Sequence, residues 1–78
     1  MKNSTNKGLI SFMIQYGIEL IKDDKVTLDD LITSDRLLIE LYCGEFLEFD
    51  HIKFHSAYYD NEEHIHDVIE YTINSEVL

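Results

Sequence analysis

The chain of 78 residues has no proline, three glycines and a single cysteine. With no proline, nothing in the sequence forces a helix to stop or bend, in keeping with a compact, mostly helical chain. Glycines this sparse leave no glycine-rich loop to cradle a phosphate. The lone cysteine, Cys43, rules out an internal disulfide and points to a reducing, cytoplasmic compartment. It lies in an apolar run and is expected as a small buried side chain rather than a nucleophile. Long apolar runs are missing too. The stretch from Gly8 to Ile21 is interrupted by Ser11, Gln15 and Glu19, which argues against a signal or membrane-spanning segment, so the protein is expected to stay where it is made.

Positive charge is the scarcest property. Six Lys and Arg face sixteen Asp and Glu, for a formal net charge of -10. That exceeds the magnitude of about 2–8 that serves solubility in a small domain. Free nucleic acid and anionic membranes would be repelled, whereas a basic protein would be attracted. Hydrophobic residues at 45 % and aromatics at 12 % argue against acidic disorder. One small domain, residues 8–78, is expected after a flexible polar lead, residues 1–7. A chain of this size buries only about 60 % of its unfolded surface. Its surplus of Ile, Leu, Phe and Tyr therefore favours a homodimer.

Periodicity predicts a mostly helical α+β fold of three or four short helices with a short strand or hairpin within 46–58; an all-α chain is the alternative. Leu9, Ile10, Phe12, Met13, Tyr16, Leu20 and Ile21 follow the helical period. Ile14 and Ile18 spill to the other side, so this helix is either central or meets a second copy. Gly17 within it reads as a close packing contact rather than a kink. Thr27 looks like the N-cap of a second helix, with Asp29 and Asp30 favourable in its first turn. Ser34 or Asp35 caps a third, in which Arg36 and Glu40 stand at i, i+4 and Gly44 ends the run. From Glu45 to Tyr59 the pattern is ambiguous: Ile52, Phe54 and Tyr58 alternate with His51, Lys53 and His55 as on a strand, yet Phe46, Phe49 and Ile52 keep helical spacing. The last helix is the clearest. Asp60 is its expected N-cap, Glu63 completes a capping box, and Ile65, Val68, Ile69 and Ile73 form one apolar stripe.

Enzymatic chemistry finds no occupant. No nucleophile stands beside a recognisable base, and neither Ser56 nor Ser75 suggests a Ser-His-Asp arrangement. No cofactor or metal is expected either. His51 and His55, with Glu48, would share a helix face, but on a strand the two imidazoles stand roughly 13 Å apart. His64 and His66 point about 200° apart on a helix, and none of these spacings matches a known zinc pattern.

The acidic surface itself is the remaining candidate. Glu63, Asp67 and Glu70 fall at i, i+4 and i+7, with Asp60 and Glu62 extending the row and no Lys or Arg on the helix. Like charges at this spacing cost a few tenths of a kcal/mol per pair. Asp23, Asp24, Asp29 and Asp30 form a second cluster. Carboxylates about 5–6 Å apart on a helix can meet the basic side chains that otherwise hold phosphates. These nine acids are the expected partner-binding residues.

In size, acidity and the Glu63/Asp67/Glu70 row, the chain resembles the small acidic phage proteins that mimic DNA during host takeover, and most of all the phage inhibitors of the histone-like nucleoid protein HU. The resemblance covers the chain loosely, without a diagnostic motif. It implies a dimer whose acidic face occupies the DNA-binding arms of HU in the host cytoplasm or nucleoid. The alternative is a protein–protein adaptor or small regulatory subunit that binds through an apolar face, including residues such as Tyr58 or Tyr59, with the acids serving solubility.

Overall fold

The structure is a computed structural model that describes residues 2–44 and 50–77, and side chains within 7–44 and 50–76. Five helices follow one another among the described residues: α1 (Lys2–Lys22), α2 (Leu28–Thr33), α3 (Arg36–Cys43), α4 (His51–Asp60) and α5 (Glu62–Val77). None of them is long and apolar enough to cross a membrane.

The first helix is the central one. It packs against α3, α4 and α5, which accounts for apolar residues over most of its circumference: Leu9, Met13, Ile18 and Leu20 are buried, while Ile10, Phe12, Ile14, Tyr16 and Ile21 pack at the edge of the core. It starts at Lys2 rather than at Gly8, so residues read as a polar lead belong to the helix. Gly17 is the close contact expected. A Cβ built there would lie 2.6 Å from Ile69 Cδ1 and 3.3 Å from Leu31 Cδ2, so the bare backbone lets α5 and α2 approach α1.

The end of α1 explains one acid. Asp24 has φ 62°, in the left-handed region. The Asp24 N–H donates to Ile21 O at 3.1 Å and the Lys25 N–H to Leu20 O at 3.0 Å, the paired bonds of a Schellman stop. Glycine usually holds that position, and a short polar side chain such as Asp tolerates it better than most. At α2, Thr27 is the N-cap as expected, its hydroxyl accepting from the Asp30 N–H at 3.0 Å. The Thr33 and Ser34 hydroxyls donate back to the carbonyls of Asp29 and Asp30, each at 2.6 Å, and close that short helix. Asp35 is the N-cap residue of α3 without a side-chain cap bond. Arg36 and Glu40 make the expected i, i+4 pair at 3.5 Å. Cys43 is exposed at the end of α3, not buried.

The main correction concerns the strand. Residues 46–49 lie outside the described residues, but 51–60 is helical, and no strand occurs among the described residues. The all-α alternative is therefore the architecture observed. Asp50 starts α4, its Oδ1 accepting from the N–H groups of Ile52 at 2.9 Å and Lys53 at 3.2 Å. The reason for the misreading is physical. Helix α4 carries two apolar stripes: Phe54, Ala57 and Tyr58 face the core, while Ile52 and Tyr59 face outward. Two stripes on different sides of one helix, superposed along the sequence, imitate the alternation of a strand. Tyr58 is fully buried and Tyr59 is exposed, so only the second could belong to an apolar docking face.

Asp60 is corrected too. It is the last residue of α4, accepting from Ser56 Oγ at 2.9 Å, and not the cap of α5. Asn61 alone separates the helices: its N–H donates to Tyr58 O at 3.2 Å and its side chain to Ala57 O at 3.0 Å, while its carbonyl accepts from the Ile65 N–H. The apolar stripe of α5 is as expected, with Ile65 and Ile69 fully buried and Ile73 packed at the edge of the core.

Candidate partner-binding surface

The carboxylates of α5 follow from where that helix starts. Glu62 and Glu63 occupy its first turn, where the partial positive charge of the helix end favours anions. Asp67 and Glu70 lie beyond that turn and have no such local reason. Because Ile65 and Ile69 are turned inward, the acids are forced to the flank and the outer side.

There they meet α2. Glu62, Glu63, Asp67 and Glu70 line a groove of about 380 Å³ together with Ile32 and His66. The lining contains four carboxylates, one imidazole and one aliphatic side chain, and no Lys or Arg. Among the described residues the two ion pairs lie elsewhere, Lys22 with Glu76 at 2.8 Å and Arg36 with Glu40. Among the described residues, none of the four groove carboxylates is ion-paired.

His66 is only 8 % exposed. Its Nε2 lies 3.2 Å from the hydroxyl of Tyr58, which in turn lies 3.5 Å from Glu62 Oε2. The hydroxyl has one proton, so the imidazole tautomer decides whether Tyr58 donates to His66 or accepts from it while donating to Glu62. Burial pushes the Tyr58 phenol well above its usual range, and the charge of Glu62 adds to this. Burial also lowers the pKa of His66, against the opposing pull of Glu62, Asp67 and Asp35. At neutral pH the ring is therefore uncharged, and it does not cancel the carboxylates around it.

The other expected acids do not join this groove. Asp23 and Asp24 are exposed in the turn after α1, and Asp29 and Asp30 are exposed in the first turn of α2. Each of the last three has a structural reason, as the stop of α1 or the start of α2. Asp60 is engaged with Ser56. Of the nine acids, the structure thus gathers Glu62, Glu63, Asp67 and Glu70. Sequence reasoning missed Ile32 and His66 as members. A trace of His66 was present in the spacing, since it stands one helical turn from both Glu62 and Glu70 and directly follows Ile65 of the buried stripe.

The histidines disperse. His64 is exposed while His66 is buried, and His51 and His55 flank the Tyr42 ring at 5.7 and 5.3 Å between centroids. No group of three or more His, Cys, Asp or Glu that could hold a metal ion occurs among the described residues. The sequence matches no protein-family model, and the searches of characterised proteins and of solved structures likewise find no match.

Proposed function

We propose that this protein is an acidic mimic of DNA, which docks on the DNA-binding surface of a basic bacterial host protein, the nucleoid protein HU foremost, and keeps DNA off it. The observation that carries this reading is the groove in which Glu62, Glu63, Asp67 and Glu70 converge with no Lys or Arg among the described residues that line it. Like charges gathered at helical spacing destabilise the isolated helix, and a basic partner relieves that cost. Duplex DNA offers one negative charge per about 1.7 Å of its axis. The groove offers carboxylates one helical turn apart, a density that the Lys and Arg of a DNA-binding cleft can engage. Ile32 gives the apolar stem of such a side chain a surface to lie on. Binding needs no chemistry beyond this charge pairing, in line with a non-enzymatic inhibitor. A phage origin, and a place of action in the host cytoplasm or nucleoid, belong to the same reading.

Charge reversal tests it. The double variant Glu63→Lys with Asp67→Lys is expected to keep the far-UV circular dichroism of the parent and to lose binding to HU. The loss should be at least about 100-fold, since truncating hydrogen-bonded interfacial charges costs 2–5 kcal/mol or more. Both substituted residues are exposed, so the fold is spared. If the variant binds as the parent does, while Tyr59→Ala abolishes binding, the acids serve solubility only and an apolar-face adaptor replaces the mimic.

A further inference from the structure

A titratable ring stands inside the acidic groove. His66 is buried, yet it lines the groove together with Glu62, Glu63, Asp67 and Glu70. Glu62, Glu63 and Glu70 lie one helical turn from it, and Asp67 directly follows it. Side chains one turn apart are neighbours, about 5–6 Å between Cβ atoms. A charge on the ring therefore falls among the carboxylates that attract a cation.

The helices packed on α5 are α1, α2 and α4. From α4, the Tyr58 hydroxyl lies 3.2 Å from His66 Nε2 and 3.5 Å from Glu62 Oε2. Helix α2 brings the uncharged Ile32 to the groove, and Asp35, at the start of α3, acts on the ring through its charge. Lys22 of α1 meets α5 at Glu76, ten residues and about 15 Å along the helix from His66. Among the described residues, the charges at the ring are thus Glu62, Glu63, Asp67, Glu70 and Asp35, all negative. Burial keeps the ring neutral at pH 7 against their pull.

Protonation changes this arrangement twice. It adds a positive charge where the groove would hold a cation. It also turns the tyrosine. A ring with both nitrogens protonated has no acceptor, so Nε2–H donates to the Tyr58 oxygen and the single phenol proton is left for Glu62. When Nε2 is bare, Tyr58 donates to it instead, and Glu62 takes no proton from Tyr58.

We propose that His66 gates the groove: protonation of its ring and occupation of the groove by Lys or Arg side chains oppose one another, and acidification releases a basic partner. The proposal rests on reading the groove as a surface for such side chains, but not on HU being the protein that carries them. The opposition is reciprocal, because linked equilibria shift each other by the same factor.

An acetylated, fluorescently labelled decalysine peptide is the probe, since its side chains stay charged near neutral pH and below. Its affinity for the full chain is read by anisotropy at about pH 7.5 and about pH 5, in about 0.01 M salt, where the Debye length is about 30 Å. The wild type is expected to bind more weakly at the lower pH. Its loss should exceed that of His66→Gln by at least about threefold, the effect of one unit charge about 6 Å from another in bulk water. His64→Gln, which changes an exposed residue outside the groove, should keep the full loss. Equal losses in the wild type and His66→Gln overturn the proposal. NMR titration of the wild-type imidazoles needs no substitution. Saturating peptide should move the His66 midpoint to lower pH by about half a unit, a threefold change in proton affinity, and move those of His51 and His55 less. An unmoved His66 midpoint overturns the proposal, as does a chain that fails to bind the peptide at pH 7.5. If the peptide binds with this pH dependence and HU does not bind, the gate stands and HU falls as the partner.

Discussion

Gly17→Val is expected to be the most damaging substitution of an apparently innocuous residue, lowering stability by about 3 kcal/mol, the upper part of the range for overpacked cores. The position lies where α1 is pressed against both α5 and α2. The new Cβ would approach Ile69 Cδ1 to 2.6 Å and Leu31 Cδ2 to 3.3 Å, and Ile69 and Leu31 are both fully buried. The two γ-methyls of valine add volume to the same place. Replacing glycine in a helix returns less than about 1 kcal/mol, so the clash decides the sign. Total stability for a chain of this length is only about 4–12 kcal/mol at roughly 0.05–0.15 kcal/mol per residue. A double-mutant cycle in urea isolates the contact. Gly17→Ala and Ile69→Val should together cost about 0.5–1 kcal/mol less than the sum of the single changes, because valine lacks the Cδ1 that alanine meets. Additive costs would mean that Gly17 is required for some other reason.

Loss of Tyr58 is expected to be of similar size, with a pH signature as well. Tyr58 is the largest fully buried side chain, and truncation of a buried aromatic costs about 3–5 kcal/mol. Tyr58→Ala therefore brings the fold close to collapse. Tyr58→Phe keeps the ring and removes the hydroxyl that meets His66 Nε2 at 3.2 Å. A buried polar atom left without its partner costs about 1–3 kcal/mol. The His66 ring supplies the pH signature. Its pKa in the fold is lowered, chiefly by burial, so the unfolded chain takes up a proton that the folded chain refuses. Its contribution is fully present above the unfolded value of about 6.5 and is lost as pH falls from there toward the lowered folded value. Ordinary carboxylates titrate near pH 4, so the interval from about pH 7.5 to 5.5 reports mainly on imidazoles. Across it the urea midpoint of the wild type should fall, and that of His66→Gln should fall less, the other three histidines being common to both. Parallel slopes would contradict the buried, uncharged ring.

The same packing shows which features the sequence made legible. Elements whose signal is local were read correctly: the Thr27 cap, the Arg36–Glu40 pair, the helical apolar periodicity of α1 and the Ile65–Ile69 stripe. Gly17 was legible as a contact, although its partner was not, because Ile69 lies 52 positions away in sequence. The errors arise where two tertiary demands fall on one segment. Helix α4 must face the core with Phe54, Ala57 and Tyr58 and also presents Ile52 and Tyr59 outward, so its pattern imitates a strand. Asp60 sits at a junction where one residue, Asn61, ends a helix and begins the next, and either side could have claimed it as a cap. At the candidate site, the row of α5 was visible because it lies on a single helix. Ile32 and Tyr58 come from α2 and α4, and their places beside the row depend on how the helices pack.

The central claim is that the groove of Glu62, Glu63, Asp67 and Glu70 competes with DNA for a basic protein, and its most direct test is a titration of the fluorescently labelled chain with purified HU, followed by anisotropy. The account predicts binding at about 0.1 M salt, reversal by unlabelled duplex DNA, and loss near about 0.5 M, where the Debye length has shrunk to a few Å. No binding at low salt, or binding that persists at high salt and ignores the duplex, would contradict it.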